Sequence, residues 1–463
     1  MFLSNFVTIG LVSIASAKIQ YLGVAIAGGD FGCQIDGTCP TSSVQLANDA
    51  NDQMQHFVGE GMNLMRIPTS WQFLVNNQVG GSLNANNLAK YDQIIQGCLN
   101  TGAYCMIDIH NFARWNGGII GQGGPSDDQF VSLWTQLAEK YAGSEKVVFE
   151  LMNEPHDLDI NVWAQTCQKV VTAVRNAGAT SQMILLPGTN FDSAATLVSS
   201  GSADALMAIT NPDGSTDGLI LDIHKYLDED NSGTHEECVT DNIDAFTEVA
   251  QFLRENGRQG LISESGASSD ASCFTSFCSQ NTFINQNEDA FIGFVAWAAG
   301  SFSTSYVLSL TPSKQNGQYV DNALMTQCVL APWLNSNNTA ATSTTSNSDI
   351  PTEAMSTVLA SIVVSGTSVV VPSTWSLLTV TTLVIATGSP TIPPASENPI
   401  SLATASDTAT ATATTSESSS SSFSTAPSST ASVSSSESAP AVTRSQLALS
   451  RLFACAVLVA WFL

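Results

Sequence analysis

The sequence predicts a (β/α)8 barrel of the TIM-barrel type, followed by a Ser/Thr-rich stalk that stays disordered. Eight short segments rich in branched and aromatic residues recur along the first two thirds of the chain, and helix-like stretches separate most of them. Each segment ends in polar or glycine-rich sequence. Regular alternation of strand and helix is typical of a parallel sheet, and eight such units close into a barrel.

The predicted strands occupy eight ranges: 20–28, 62–67, 104–109, 147–152, 183–187, 219–223, 260–263 and 291–297. Between them, the stretches 128–141 and 162–176 place apolar residues three and four positions apart. This spacing gives a helix one apolar face that packs on a sheet. The barrel is therefore predicted to span residues 18–333.

The first 17 residues have the pattern of a secretory signal. A short apolar run ends in the small residues Ala15-Ser16-Ala17, which indicates cleavage after Ala17. A membrane-spanning helix is the weaker alternative because the run is too short. Export implies an oxidising compartment, in which cysteines form disulfides.

The ten cysteines divide by spacing. Two pairs close in sequence are predicted to be local disulfides: Cys33 with Cys39, and Cys98 with Cys105. Four others have spacings that allow two longer bridges: Cys238, Cys273, Cys278 and Cys328. Cys167 and Cys455 are left over. No Cys-x-x-Cys pair or histidine cluster has zinc-ligand spacing, so no metal site is predicted.

The composition changes after Trp333 to Ser, Thr, Ala and Pro with few charges. Such sequence buries too little apolar surface to offset its chain entropy, so 334–440 is predicted to be a glycosylated linker, with an Asn-x-Thr acceptor at Asn337. The segment 358–385 is rich in Val, Thr and Leu, and a small β-module there is the alternative.

The last segment, 441–463, has the order of a signal for a glycosylphosphatidylinositol anchor: small residues, a polar spacer and an apolar end. A tail-anchored helix is the rival interpretation, although the apolar run is short for a bilayer. Membrane attachment is thus expected only through a lipid anchor, on a protein secreted to the outer cell surface or cell wall.

Acidic residues far outnumber basic ones, with 40 Asp and Glu against 14 Lys and Arg. This balance repels phosphate backbones and anionic lipid head groups. Nucleic acid is therefore excluded as an expected partner, whereas a neutral substrate is compatible with the charge.

Polar residues at the predicted strand ends suggest one shared site, because the loops after barrel strands converge on one face. In chain order these residues are Arg66, His110, Asn153 with Glu154, His224 with Tyr226, Glu264 and Trp297. Glu154 and Glu264 each close an apolar run, about 110 residues apart. A protonated carboxyl beside an ionised one is what retaining glycoside hydrolysis requires.

Longer motifs surround these positions. They are Asp-Ile-His-Asn at 108–111, a glycine-rich segment from Arg114-Trp115 to Pro125, Asn153-Glu154-Pro155, and the run from Asp222 to His235. Over about residues 18–333 the chain resembles glycoside hydrolase family 5, specifically its fungal secreted endo-β-1,4-glucanases.

The resemblance implies that Glu154 is the acid/base and Glu264 the nucleophile. It also implies that Cys238 pairs with Cys273, and Cys278 with Cys328. In one departure, the end of the fifth strand carries Asn190-Phe191-Asp192 where close relatives often have Trp. A smaller aromatic residue there is expected to shift sugar stacking without removing the chemistry.

The remaining strand-end residues have predicted supporting roles. Arg66 and Tyr226 favour the ionised form of Glu264 by charge and hydrogen bonding. Asn153 is expected to bond the sugar 2-hydroxyl, and His110 and His224 to shape the site. Trp297 offers a flat apolar face to a sugar ring, and Trp115 is a further candidate platform in the groove.

The sequence therefore predicts a retaining endo-β-1,4-glucanase that acts on cellulose and related β-glucans as a monomer without a cofactor. Another β-glycan specificity, such as mannan, mixed-linkage or β-1,3-glucan, is the first alternative, because the two carboxyls are indifferent to linkage. A non-catalytic wall protein that binds glycan is the second.

Overall fold

A computed structural model describes residues 18–335 of the 463-residue chain. The predicted signal segment, nearly all of the predicted linker and the predicted anchor segment lie outside the described residues. Within 18–335, no helix has the length and apolar character needed to cross a membrane.

Eight parallel strands form a closed barrel, which confirms the predicted fold class. Their bounds are β1 Tyr21–Ala27, β2 Leu64–Thr69, β3 Tyr104–Ile109, β4 Val147–Glu150, β5 Ile184–Leu186, β6 Leu219–His224, β7 Gly260–Ser265 and β8 Phe291–Gly300. Each strand pairs with its neighbours in chain order, and β8 closes the ring on β1. Two short antiparallel pairs lie outside the barrel: Arg114–Trp115 with Gly118–Ile119, and Ser313–Gln315 with Gln318–Val320.

Eight α-helices lie between or after the strands within the described range. They are α1 Ala50–Gly59, α2 Trp71–Leu74, α3 Ala85–Thr101, α4 Asp127–Tyr141, α5 Ile160–Asn176, α6 Ser202–Met207, α7 Ile243–Glu255 and α8 Ala271–Gln286. A 3-10 turn at Thr41–Ser43 and a π-helical segment at Met325–Leu330 complete the set.

Local sequence signals fix where the main helices begin. The Ser126 hydroxyl accepts a hydrogen bond from the backbone N–H of Gln129, whose side chain accepts one from the Ser126 N–H, forming a capping box for α4. Asp159 caps α5 by accepting from the N–H groups of Asn161 and Val162. Helix α3 ends at Gly102, whose φ of 85° is the left-handed conformation that glycine adopts without strain.

Two of the three apolar clusters in the described residues lie on opposite faces of the barrel strands. The larger cluster lies between the barrel and its helices, and includes the completely buried Trp134 and Trp163. The smaller cluster takes residues from strands β2 to β8: Leu64, Met106, Val148, Leu185, Ile220, Leu261, Ile292 and Val295. Because successive side chains of a strand point to opposite faces, this second cluster fills the barrel interior below the site.

Four disulfides join Cys33 with Cys39, Cys98 with Cys105, Cys238 with Cys273, and Cys278 with Cys328. These pairings match the two local bridges read from spacing and the two longer ones implied by the family resemblance. Cys167 is a buried free thiol on α5, and Cys455 lies outside the described residues.

Candidate active site

A layer of buried charges lies directly above the apolar interior of the barrel. Arg66, Asp108, Glu150 and Asp222 each follow a residue of the interior cluster by two positions, so they share the inward face of their strands. All four are completely buried. One guanidinium thus shares this layer with three carboxyl groups.

Arg66 joins this layer to the site above it. Its Nε and Nη2 donate to the two Glu150 oxygens at 2.7 and 2.6 Å, and Nη2 lies 2.9 Å from Asp108 Oδ2. Nη2 also donates to Asn153 Oδ1 at 2.7 Å, and Nη1 donates to Glu264 Oε2. Burial opposes the charge of Arg66, but the carboxylates outweigh it and raise the pKa of the guanidinium well above its usual value. Arg66 therefore stays cationic in the barrel.

Glu264 is held from two sides near the end of β7. Arg66 bonds one carboxylate oxygen, and the Tyr226 hydroxyl donates to the other, Oε1, at 2.7 Å. Burial disfavours the charged carboxyl, but attraction to Arg66 and then to His224 outweighs burial and lowers the pKa of Glu264 to about 2. Glu264 is consequently ionised at neutral pH and oriented by two donors.

Glu154 lies across the barrel mouth from Glu264 and is partly exposed. His224 Nδ1 lies 3.0 Å from Glu154 Oε1 and 3.9 Å from Glu264 Oε1. A carboxylate oxygen of each glutamate and the imidazole nitrogen all lie within 4.8 Å of one another. Retaining glycosidases hold their two carboxyls about 5 Å apart, whereas inverting enzymes need about 6.5–9.5 Å. The spacing therefore suits a double displacement.

The two site histidines are each fixed from below by an aspartate of the charged layer. His224 Nε2 lies 2.9 Å from Ser263 Oγ, and the Ser263 hydroxyl donates to Asp222. His110 Nδ1 lies 2.7 Å from Asp108 Oδ2. Burial lowers the pKa of His110, but Asp108 outweighs it and raises the pKa to about 8. Both rings are thereby oriented toward the barrel mouth.

One wall of the site is aromatic. Trp297 stacks on His110 with ring centroids 5.6 Å apart and planes 15° from parallel. Its indole N–H donates to the Tyr306 hydroxyl at 3.3 Å. A fixed indole of this kind is a suitable surface for the apolar face of a sugar ring.

The structure does not join Trp115 to this wall. Trp115 is half-buried in a short hairpin, and its ring packs edge-to-face with that of Trp71, with centroids 5.2 Å apart. The other predicted site residues are linked to one another by the contacts above. Trp115 remains a predicted platform farther along the groove.

Phe191, at the departure from the family pattern, packs on a neighbouring side chain. Its ring stacks on His156 with centroids 4.4 Å apart and planes 12° from parallel. Its backbone N–H donates to the carbonyl of Pro155 at 2.9 Å. The residue thus contacts the loop that carries Glu154.

Several buried polar residues of the site were not found from the sequence: Asp108, Glu150, Asp192, Asp222 and Ser263. A signal existed for three of them. Asp-Ile-His occurs at 108–110 and again at 222–224, and the two-residue spacing puts each aspartate on the same strand face as its histidine. Glu150 was marked by being a charge inside an apolar run. Asp192 had no comparable signal.

Some of these groups also have the geometry of metal ligands. Besides Glu154, His224 and Glu264, the described part of the chain brings Glu150, Asp222 and His224 within 4.8 Å of one another. In both groups, carboxylates already accept hydrogen bonds from Arg66 or Tyr226. The expectation of no metal site stays a prediction.

Comparison with known proteins identifies the family. The cellulase family, glycosyl hydrolase family 5, matches residues 29–300. The chain belongs to this family. Among relatives of this cellulase-family chain, Endoglucanase EG-II of Hypocrea jecorina is 55% identical over 326 residues, which is 68% of this chain and 78% of that protein. Endoglucanase 1 of Saitozyma flava is 47% identical over 304 residues, covering 65% and 86%.

Solved structures also resemble this cellulase-family chain over about two thirds of its length. The crystal structure of Cel5A (EG2) from Hypocrea jecorina has a TM-score of 0.67 at 53% identity, covering 67% of this chain and 98% of that one. XacCel5A in complex with cellopentaose has a TM-score of 0.61 at 27% identity, covering 68% and 99%.

Proposed function

We propose that this family 5 chain is a retaining endo-β-1,4-glucanase that hydrolyses internal bonds of cellulose and related β-glucans. The observation that carries the proposal is the pair Glu154 and Glu264, with carboxylate oxygens within 4.8 Å and Glu264 held in its ionised form. The names of the relatives, endoglucanases at 55% and 47% identity, support an endo-acting glucanase.

In the first step, the Glu264 carboxylate attacks the anomeric carbon while Glu154 donates its proton to the departing glycosidic oxygen. A C–O bond to Glu264 forms and the glycosidic C–O bond breaks, leaving a glycosyl ester. Negative charge thus moves from Glu264 to Glu154. His224 Nδ1 lies beside both carboxyls and can donate to Glu154 as that charge develops.

In the second step, Glu154 removes a proton from water, whose oxygen attacks the anomeric carbon and releases the Glu264 carboxylate. Two inversions give net retention. The proton taken from water leaves Glu154 ready to act again as the acid, so no outside proton carrier is required.

Substrate positioning is proposed for the residues around the pair. Trp297 presents its indole face to the sugar ring. Asn153 Oδ1 accepts from Arg66, while its buried Nδ2 has no partner within the described residues, so it can donate to the sugar 2-hydroxyl. Trp115 is proposed as an outer platform.

The proposal predicts that Glu264→Ala abolishes turnover of carboxymethylcellulose. The wild-type protein should release mixed short β-glucan oligomers whose new reducing ends are initially in the β-configuration. NMR gives the anomer, and chromatography gives the product sizes. Initial α-configuration would overturn the retaining mechanism, and cleavage of mannan alone would overturn the glucan substrate.

We also propose that the enzyme is secreted and displayed on the cell surface as a monomer through a glycosylated stalk and lipid anchor. Four disulfides within the barrel support an oxidising destination. Phosphatidylinositol-specific phospholipase C should release active enzyme from expressing cells, and deletion of 441–463 should send it directly to the medium. Enzyme still bound to cells after either treatment would contradict the lipid anchor.

A further inference from the structure

Glu154 has an unusual backbone conformation for its residue type. Its φ is 48°, in the left-handed region that residues other than glycine and asparagine rarely adopt. Pro155 disfavours the right-handed helical conformation for the residue before it but does not by itself select the left-handed one. Another contact must therefore hold the backbone that aims the Glu154 carboxyl.

That contact comes from Asp192, beyond the end of β5. Asp192 is completely buried, and its Oδ2 accepts a hydrogen bond from the Glu154 backbone N–H at 3.0 Å. The other oxygen, Oδ1, accepts from the backbone N–H of Gly188. Both carboxyl oxygens are thus committed to main-chain donors of two different loops.

The main chain of Asp192 reaches the other side of Glu154. The Asp192 carbonyl accepts from the His224 N–H at 2.9 Å, and His224 in turn contacts the Glu154 carboxyl. The preceding Phe191 bonds the Pro155 carbonyl and stacks on His156. Residues 190–192 are all left-handed, with φ of 57°, 60° and 54°, a shape that turns these groups toward the Glu154 loop.

We propose that Asp192 is a positioning residue for acid/base catalysis, which holds the backbone of Glu154 so that its carboxyl faces the glycosidic oxygen. The inference rests on the proposed role of Glu154. Burial first, and then the charges of Asp222 and Glu154, raise the pKa of Asp192 well above its usual value. The role depends on two accepting oxygens, which both protonation states of a carboxyl provide.

Asparagine cannot replace this arrangement. Its side chain has nearly the same shape but only one accepting oxygen, so its NH2 group would face either the Glu154 or the Gly188 N–H. Two donors pointing at each other in a buried site disfavour the native geometry. The Glu154 backbone would then relax away from its left-handed conformation.

The test compares substrates that differ in their need for the acid. For Asp192→Asn, kcat/KM on phenyl β-cellobioside should fall about 10- to 100-fold, whereas the first chemical step with 2,4-dinitrophenyl β-cellobioside, whose leaving group needs no proton, should change less than about threefold. Purely structural damage would lower both rates together.

Azide provides a second readout, because it attacks the glycosyl enzyme without base assistance. A C–N bond forms, the ester bond to Glu264 breaks, and β-cellobiosyl azide leaves with the Glu264 carboxylate restored. Azide should therefore increase the turnover of 2,4-dinitrophenyl β-cellobioside by Asp192→Asn. It should not increase the turnover by the wild-type protein. Stopped-flow release of dinitrophenolate and chromatography of the azide measure both effects.

Two variants control the experiment. Asp159→Asn changes an exposed aspartate that also accepts from two backbone N–H groups, five residues beyond Glu154, and should leave both substrates unaffected. Asp192→Ser has a smaller side chain that can still accept a hydrogen bond. It replaces Asp192→Asn in the test if Asp192→Asn does not fold. Circular dichroism and thermal unfolding establish that each variant is native before its rates are compared.

Glu154→Ala, measured in parallel, separates the two claims. If Glu154→Ala lacks the leaving-group dependence and azide rescue, the proposed role of Glu154 fails. If Glu154→Ala shows both and the folded Asp192 variants show neither, the positioning role of Asp192 is overturned. The inference is supported if Glu154→Ala and the folded Asp192 variants all show the leaving-group dependence and the rescue by azide.

Discussion

Arg66 and Tyr226 hold the two oxygens of Glu264 in different ways. The Arg66 guanidinium is buried among carboxyl groups, so its removal would leave several charges unpaired and damage the fold. The Tyr226 hydroxyl makes one hydrogen bond, at 2.7 Å, and its loss leaves the ring in place. Tyr226 is therefore the better residue for measuring how the site activates Glu264, its proposed nucleophile.

Tyr226→Phe should lower kcat/KM on carboxymethylcellulose about 10- to 100-fold, because a hydrogen bond to a charged group contributes about 1.5–3 kcal/mol. That hydrogen bond is one of the causes that lower the pKa of Glu264. Without it the pKa rises, so the acid limb of the profile of kcat/KM against pH should move to higher pH. Initial rates between about pH 1.5 and pH 8, a range that includes the wild-type pKa of about 2, give both quantities.

Tyr141→Phe is the matched control. The Tyr141 hydroxyl also donates to a carboxylate, Asp92 at 2.9 Å, but on helices away from the barrel mouth. This variant should lose some stability and keep the wild-type pH profile. An acid limb that shifts equally in both variants would contradict the assigned role of the Tyr226 hydroxyl.

Asp222 makes the stability of the fold depend on pH. Its pKa is shifted upward, in the opposite direction to that of Glu264. Burial, partly offset by His224 and Ser263, raises the pKa of Asp222 to about 6 from an unfolded value of about 3.9. The folded state then binds more protons than the unfolded state between these values. The contribution of Asp222 to stability is therefore fully present below about pH 4 and is lost as pH rises through about 6.

In Asp222→Asn this pH dependence should disappear. The free energy of unfolding of the wild type, minus that of the variant, should fall by on the order of 2–3 kcal/mol from about pH 4 to about pH 7. Urea unfolding at several pH values measures the difference, in which the contributions of groups far from Asp222 cancel. A difference that is constant with pH would show that Asp222 titrates alike in both states.

At the scale of elements, the barrel was predictable because each unit carries its own signal. Apolar runs such as 104–109 and spaced apolar residues such as 162–176 each specify local structure, and parallel topology follows from their alternation. The inner charged layer was less predictable, since Asp108 and Glu150 are explained only when neighbouring strands bring Arg66 between them. The position of Asp192 depends on contacts among the loops after β4 and β5 and the end of β6, which no local pattern encodes.

The helical segment Met325–Leu330 is joined to α8 by a long disulfide. The Cys278–Cys328 bridge joins α8 to Met325–Leu330 and spans 50 residues, whereas the Cys33–Cys39 bridge spans 6. Chain-entropy loss in the unfolded state predicts about 4 kcal/mol of stabilisation for the first and about 2 kcal/mol for the second. Double serine variants of each pair, unfolded in guanidinium chloride, should follow that order. Equal losses would mean that loop length does not govern the effect.

For the whole molecule, the formal net charge of −26 governs how the enzyme meets a long substrate. Cellulose chains are neutral and experience no net repulsion. Carboxymethylcellulose is a polyanion, so its approach to an acidic protein is opposed over distances set by ionic strength. Activity measured on that common substrate therefore combines chemistry with repulsion.

Salt should separate the two contributions. From about 0.01 M to about 0.1 M NaCl the Debye length falls from about 30 Å to about 10 Å, so kcat/KM on carboxymethylcellulose should rise roughly two- to tenfold. On uncharged hydroxyethylcellulose it should stay nearly constant, because the ion pairs around Glu264 are buried and weakly screened. Initial rates on both polymers over this range make the comparison. An equal rise on both would instead indicate that salt acts on the enzyme itself.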